Sequence, residues 1–219
     1  MRVRAIITDI DSTLVDNRRR KVISMLNVSG IERSEKLVQS ALRCTRMEDM
    51  AKVLGLDLRG ELLERVLDAY LDDIDLYSLD EPVDGAVEVI NELADEGRLI
   101  IYVSGRPGLN YVLPSLLDMG FPRGPIYTTR IKGGPDAVTA KVELMRRALT
   151  ENSLRPGETV SLGDMPHDGL ASRELGIFSV GTVQLSPYQV SKVSQFFDRV
   201  ISHISELRSV IRSLESESD

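Results

Sequence analysis

The sequence predicts an α/β fold: a doubly wound parallel sheet carrying an inserted helical domain. Three observations predict it. From Asp84 onward, short β-branched apolar runs alternate with stretches of helical spacing, the pattern of strands joined by crossover helices. Residues 16–82 carry helical spacing instead, so a helical insertion separates the first strand from the second. Three of the apolar runs end in polar clusters, and open α/β sheets bind ligands beyond the carboxyl ends of their strands.

The first strand spans about Val3 to Thr8. Arg18–Leu26, Ser34–Cys44, Met47–Leu54 and Leu58–Asp72 follow as helices, separated by breaks at Ser29-Gly30 and at Gly55 to Asp57. In the last of them Leu62, Val66 and Ala69, widened by Leu63, Leu67 and Tyr70, make an apolar stripe. Pro82 marks the return to the first domain. The expected boundaries are therefore 1–15 and 83–219 for the α/β core and 16–82 for the helical insertion.

Asp84-Gly85 opens a helix through Leu93 and Ala94 that Gly97 closes. Leu99–Val103 is the second strand, Tyr111–Met119 a helix ended by Gly120, and Ile126–Thr129 a third strand. Val142–Leu149 reads as a helix, Thr159–Leu162 as the fourth strand, Leu170–Leu175 as part of a helix, and Ile177–Val180 as the fifth strand. A last helix over Val190–Leu214 fades into a frayed Ser/Glu tail, Glu215–Asp219.

Composition narrows the class. Apolar content of 42% and charged content of 28% are those of a globular protein rather than a disordered one. No apolar stretch is long enough to span a bilayer, and Thr8, Asp9 and Asp11 arrive too early for a signal-peptide core. Cys44 stands alone, so no internal disulfide forms and a reducing, cytoplasmic setting is expected. A net charge of −7 argues against nucleic acid as a partner, while a local cation would still admit a small anionic substrate.

The strand ends carry the chemistry. Asp9-Ile10-Asp11-Ser12-Thr13 follows the first strand, Ser104-Gly105-Arg106-Pro107 the second, and Gly163-Asp164-Met165-Pro166-His167-Asp168 the fourth. Two ionised carboxylates about 4 Å apart repel by ~4 kcal/mol at an effective dielectric near 20, so Asp9 and Asp11 call for a cation or a shared proton. Each cluster alone also reads as ordinary turn and cap chemistry. Three of them at one sheet edge define a crevice.

With these residues in place the chain resembles the haloacid dehalogenase-like (HAD) superfamily, and within it the Mg²⁺-dependent phosphatases with a helical C1-type cap, such as the phosphoglycolate phosphatases. Asp9 to Thr13 matches that family's DxDxT, Ser104 its second-strand Ser/Thr, and Gly163-Asp164 with Asp168 its GDxxxD. The resemblance spans essentially the whole chain, including the position of the insertion. It implies Asp9 as the nucleophile that forms an aspartyl-phosphate, and Asp11 as the acid that protonates the leaving oxygen and then the base toward water. It implies Mg²⁺, held by Asp9, the Asp11 main-chain carbonyl and Asp164. Asp168 follows as a ligand through water or as the partner of a lysine. Ser104 and the Gly105 N–H would hold a phosphoryl oxygen.

The family also places a lysine ahead of the last signature. Lys141, expected just before the helix Val142–Leu149, is favoured over Lys132 beside Gly133-Gly134. His167 reads as a rim side chain. The expected activity is hydrolysis of a small phosphorylated metabolite, with a phosphomutase of the β-phosphoglucomutase type as the alternative. A receiver-like phospho-acceptor ranks behind both, because its acidic pair precedes the phospho-accepting Asp and no helical insertion interrupts it.

Overall fold

The computed structural model of the chain describes residues 2–132, 136–186 and 188–216. The elements begin with β1 (Ala5–Thr8), β2 (Val15–Asp16), α1 (Arg18–Ser29), α2 (Glu35–Ala41), α3 (Met47–Val53), α4 (Gly60–Asp72) and β3 (Glu81–Pro82). They continue with α5 (Ala86–Asp95), β4 (Leu99–Ser104), α6 (Leu109–Asp118), β5 (Ile126–Thr128), α7 (Asp136–Glu151) and β6 (Thr159–Gly163). The last are α8 (Pro166–Leu175), β7 (Phe178–Thr182), α9 (Val190–Val193), β8 (Arg199–Ile201) and α10 (Leu207–Ser216). The chain divides into two compact units, Met1–Val15 with Pro82–Asp219, and Asp16–Glu81.

In the first unit six strands form one parallel sheet in the order β5-β4-β1-β6-β7-β8. β1 is central because all four of its residues are apolar or able to hide, and both of its edges are paired. Ile6 faces Ile100 on one side and Val160 on the other. Successive side chains alternate between faces. Ile6 packs with Ile100, Tyr102 and Val160 against the apolar stripes of α5 and α10, including Val89, Leu93, Leu207 and Ile211. Ala5 and Ile7 turn the other way, toward Val142, Met145 and Leu149 of α7 and Ala171 of α8. From β1 the chain winds out through β4 to β5, then returns to the opposite side of β1 at β6. That reversal opens a crevice at the carboxyl ends of β1, β4 and β6.

The second unit is a helical cluster closed by Val22, Met25, Leu26, Val38, Met50 and Val66. A buried ion pair anchors it: Arg20 Nε donates to Asp80 Oδ1 at 3.0 Å, both side chains being fully buried. The Arg20 guanidinium lies between two rings, 4.2 Å from the Tyr70 centroid and 4.3 Å from that of Tyr77. Stacking on both faces and hydrogen bonds in its plane suit a guanidinium as they would not suit an ammonium.

Three expectations need correction. The single helix over Val190–Leu214 is instead α9, a sixth strand β8 and α10. Asp198 stops it: its Oδ2 accepts from the Ser179 N–H and Oγ, both at 2.8 Å, which draws the following residues alongside β7. The Phe197 ring occupies the space where a Cβ on Gly181 would sit, 2.6 Å away. α7 begins at Asp136, so Lys141 lies inside it on the buried stripe with Ala137, Leu144, Met145 and Ala148. The helix expected to include Leu170–Leu175 is α8, which begins at Pro166 and so puts His167 and Asp168 in its first turn. α10 continues through Glu215, which accepts hydrogen bonds from the Val3 N–H and from Arg98, both at 3.0 Å. The rest of the expected tail, residues 217–219, and the Gly133-Gly134 pair lie outside the described residues.

Candidate active site

Asp9 leaves β1 at the crevice, its N–H bonded to the Leu162 carbonyl of β6 at 2.9 Å. The loop then folds on itself: the Leu14 and Val15 N–H groups both bond the Ile10 carbonyl at 2.9 Å, and the Ser12 N–H bonds the Val15 carbonyl. Ser12 takes a left-handed φ of 62°, uncommon for a residue with a Cβ. The tight turn brings Thr13 back to the cluster. Its Oγ1 lies 3.4 Å from Asp9 Oδ2 and 3.5 Å from Asp164 Oδ1.

Asp164 follows β6, and its carbonyl accepts from Ser186 Oγ at 3.0 Å. Gly163 before it has to be glycine. A Cβ there would meet the Asp168 side chain at 2.5 Å, so the missing side chain is what lets α8 bring Asp168 against the strand end. Asp168 Oδ2 accepts from the Met165 N–H at 3.1 Å, and its Oδ1 pairs with Lys141 Nζ at 3.0 Å.

Lys141 reaches the same point from α7. Its ammonium contacts Asp9 Oδ1 and Asp168 Oδ1 and donates to the Val103 carbonyl at 3.2 Å, so three acceptors meet three donors. Lys132 is exposed ahead of α7; among the described contacts it is Lys141 that meets Asp9. Ser104 ends β4 and is buried, its Oγ accepting the Arg106 N–H at 3.1 Å; Gly105 beside it is half-buried. Asp11 pairs with an arginine from the loop after β4. Both of its oxygens are taken by Arg106, Nε to Oδ2 at 2.8 Å and an Nη to Oδ1 at 2.7 Å.

Burial dominates the electrostatics. It lifts the Asp9 carboxyl from 3.8 to about 7, against the Lys141 charge and with help from Asp168 and Asp11. Burial works the same way on Asp168, but the charges of Lys141 and His167, together with hydrogen bonds from Lys141 and the Met165 N–H, outweigh it and hold that carboxyl below its ordinary value. Burial opposes the Lys141 ammonium too, yet Asp168 and Asp9 keep it more firmly protonated than an ordinary lysine. His167, 3.8 Å from Asp168 Oδ1, is pushed down by burial and by Lys141.

Asp9, Asp164 and Asp168 each bring an oxygen within 4.8 Å of the other two. Lys141 meets two of these carboxylates, Asp9 and Asp168. An all-oxygen donor set fits a hard divalent cation such as Mg²⁺ and does not fit zinc.

All the site residues expected from sequence lie at the carboxyl ends of β1, β4 and β6 or on α7 and α8 behind them. Sequence reasoning gave no role to Arg106 or to Ser186. Arg106 could have been found as the one cation beside a strand-end Ser-Gly pair opposite two aspartates. Nothing local marks Ser186.

No protein-family model matches the chain, and no curated protein matches it. Solved structures do. A protein from Clostridium difficile crystallised as a candidate phosphatase superposes with a TM-score of 0.71 at 14% identity, over 96% of this chain and 99% of that one. A HAD family hydrolase from Deinococcus radiodurans, holding phosphate and sodium, gives 0.66 at 16% identity, over 97% and 96%. A haloacid dehalogenase-like hydrolase from Streptococcus pneumoniae gives 0.64 at 18% identity, over 95% and 98%. Likeness over whole chains at such low identity is a statement about architecture: this chain has the haloacid dehalogenase-like fold.

Proposed function

We propose that the protein is a Mg²⁺-dependent phosphatase that hydrolyses a small phosphorylated metabolite through an aspartyl-phosphate on Asp9. The observation that carries this reading is the Asp9 carboxyl, 11% exposed and held by Lys141 beside the buried Asp164 and Asp168 at the switch point of a HAD-like sheet. An Asp9 oxygen attacks phosphorus while the bond to the leaving oxygen breaks, and protonated Asp11 gives that oxygen its proton. Water then attacks phosphorus and passes a proton to Asp11. The bond to Asp9 breaks, which returns the Asp9 carboxylate and frees inorganic phosphate.

Lys141 holds Asp9 in line and offsets negative charge, and Asp168 holds Lys141 in turn. Ser104 and the Gly105 N–H take a phosphoryl oxygen. Asp9, Asp164 and the Asp11 carbonyl would hold Mg²⁺, which when bound neutralises the phosphoryl oxygens and makes attack by an anion feasible. The substrate is a free small molecule, with neither nucleic acid nor membrane as partner. The protein works in a reducing cytoplasm, a reading supported by the single Cys44 and by the lack, among described residues, of a helix able to cross a membrane.

The test is a panel of phosphorylated metabolites and p-nitrophenyl phosphate assayed with Mg²⁺, with acid-quench trapping of phosphoenzyme. Wild type should release phosphate and label at Asp9, and Asp9→Asn should do neither while remaining folded. Substantial turnover by folded Asp9→Asn would end the mechanism. Dependence on a bisphosphate activator would make the protein a phosphomutase.

A further inference from the structure

Among the described residues Arg106 is the largest polar side chain fully buried in the first unit, and its Nε and one Nη both donate to a single carboxylate, that of Asp11. Its side chain is 1% exposed, whereas Asp11 remains 22% exposed. A two-point fork fixes a carboxylate's plane as well as its position, which a single contact from a lysine would not do. The Arg106 N–H is itself tied to Ser104 Oγ, so the turn that presents the phosphate-binding hydroxyl also aims the guanidinium. The contact spans 95 positions and joins the ends of two adjacent strands.

We infer that Arg106 is a positioning residue for Asp11: it sets the orientation from which Asp11 exchanges protons with the leaving oxygen and with water. The inference rests on the phosphatase reading and deepens it. A buried arginine at a phosphate site could instead bind the phosphoryl group directly, and the two roles differ in what they predict. Acting through Asp11, Arg106 matters only while Asp11 is there, and matters most when the leaving group needs a proton. Acting on phosphate, it matters with or without Asp11, for every substrate, and in the binding of inorganic phosphate.

The experiment is a double-mutant cycle on Arg106→Ala and Asp11→Asn, with Arg106→Lys as a second variant and folding checked by circular dichroism. Single-turnover rates are read on p-nitrophenyl phosphate and on an alkyl phosphate, together with inhibition by inorganic phosphate. Arg106→Ala should lose about 10–100-fold on the alkyl phosphate, the range usual for residues that orient a functional side chain. The loss on p-nitrophenyl phosphate should be smaller, and inhibition by phosphate should hold within about threefold. In the Asp11→Asn background the same change should cost almost nothing, Arg106→Lys should behave like Arg106→Ala, and added guanidinium should restore part of the alkyl phosphate rate.

Additive losses, equal losses on both substrates or a collapse of phosphate inhibition would each overturn the inference. A readout independent of activity separates its failure from that of the phosphatase reading. In the metal-free protein the Arg106 Nε–H resonance should be protected from exchange, and Asp11→Asn should abolish that protection. An unprotected Nε–H in wild type would remove the fork itself, whereas a protected one in a protein inert toward every phosphomonoester would leave the fork standing and remove the phosphatase.

Discussion

Lys141 and Asp9 stand 132 positions apart in the chain, yet the lysine ammonium rests on the aspartate's Oδ1 at the bottom of the crevice. The contact does not suffice to keep Asp9 an ordinary acid, because burial lifts its pKa from 3.8 to about 7. A group that binds its proton more tightly folded than unfolded contributes stability at low pH, and loses it as pH rises through the folded value. The metal-free protein should therefore lose stability from Asp9 between about pH 4 and pH 7. His167, whose pKa is lowered, contributes in the opposite sense below its ordinary 6.5. The quantity to measure is thus the difference in unfolding free energy between wild type and Asp9→Asn across this range. It should favour wild type at pH 4.5 and shift steadily toward the variant by pH 7.5; a flat difference would contradict the burial argument.

Removing Asp11's proton should hurt poor leaving groups most. Asp11→Asn should slow phosphorylation of the enzyme by an alkyl phosphate by roughly 10²–10⁴-fold, the usual worth of general acid–base help, and far less by p-nitrophenyl phosphate. Water activation also loses its base, so phosphoenzyme should accumulate with the latter substrate. Equal losses in the single-turnover step for both substrates would take the acid role away from Asp11.

Mg²⁺ should be required, and Ca²⁺ should not replace it. Calcium accepts more ligands and binds carboxylates through both oxygens, which would occupy the Asp9 oxygen needed for attack, whereas Mg²⁺ keeps a strict octahedron. Chelation should abolish turnover, Mg²⁺ should restore it, and Ca²⁺ should compete with Mg²⁺. Undiminished activity after exhaustive chelation is the result that would refute this.

Arg20 and Asp80 make the helical unit depend on a charge pair with no exposed atoms. Arg20→Met leaves a carboxylate buried without its cation, and breaking a buried pair in this way costs about 3–5 kcal/mol. Replacing both, as in Arg20→Met with Asp80→Leu, should recover much of that loss. Urea unfolding of the single and double variants measures it, and a single-variant loss under about 1 kcal/mol would show that the pair is not what anchors the unit.

The parts legible in the sequence were those set by local pattern. The strand ends at Asp9, Ser104 and Asp164 follow β-branched runs broken by polar residues, and α4 shows its stripe. What hid was settled by partners far along the chain. β8 lies in a stretch with helical spacing on both sides, and only Ser179, Gly181 and their packing on Asp198 and Phe197 break it. The start of α7 was misplaced because Lys141 occupies a position on its apolar face, where periodicity expects a hydrophobic residue. Arg106 sits in a Ser-Gly-Arg-Pro turn, and its partner is 95 positions away.

The central place of β1 also has a bearing on how the chain is made. β1 is synthesised before both of its sheet neighbours, β4 and β6, and β6 begins only at Thr159. Thr13 and Asp164, which meet in the finished site, are 151 positions apart, or roughly 8–30 s of elongation at about 5–20 residues per second. The helical unit Asp16–Glu81 is contiguous and can close its own core during that interval. A nascent or truncated chain stopping between Ser104 and Thr159 has an apolar strand paired along one edge and open along the other. Such an edge recruits other chains, so premature termination in that interval yields aggregation rather than a weakened protein.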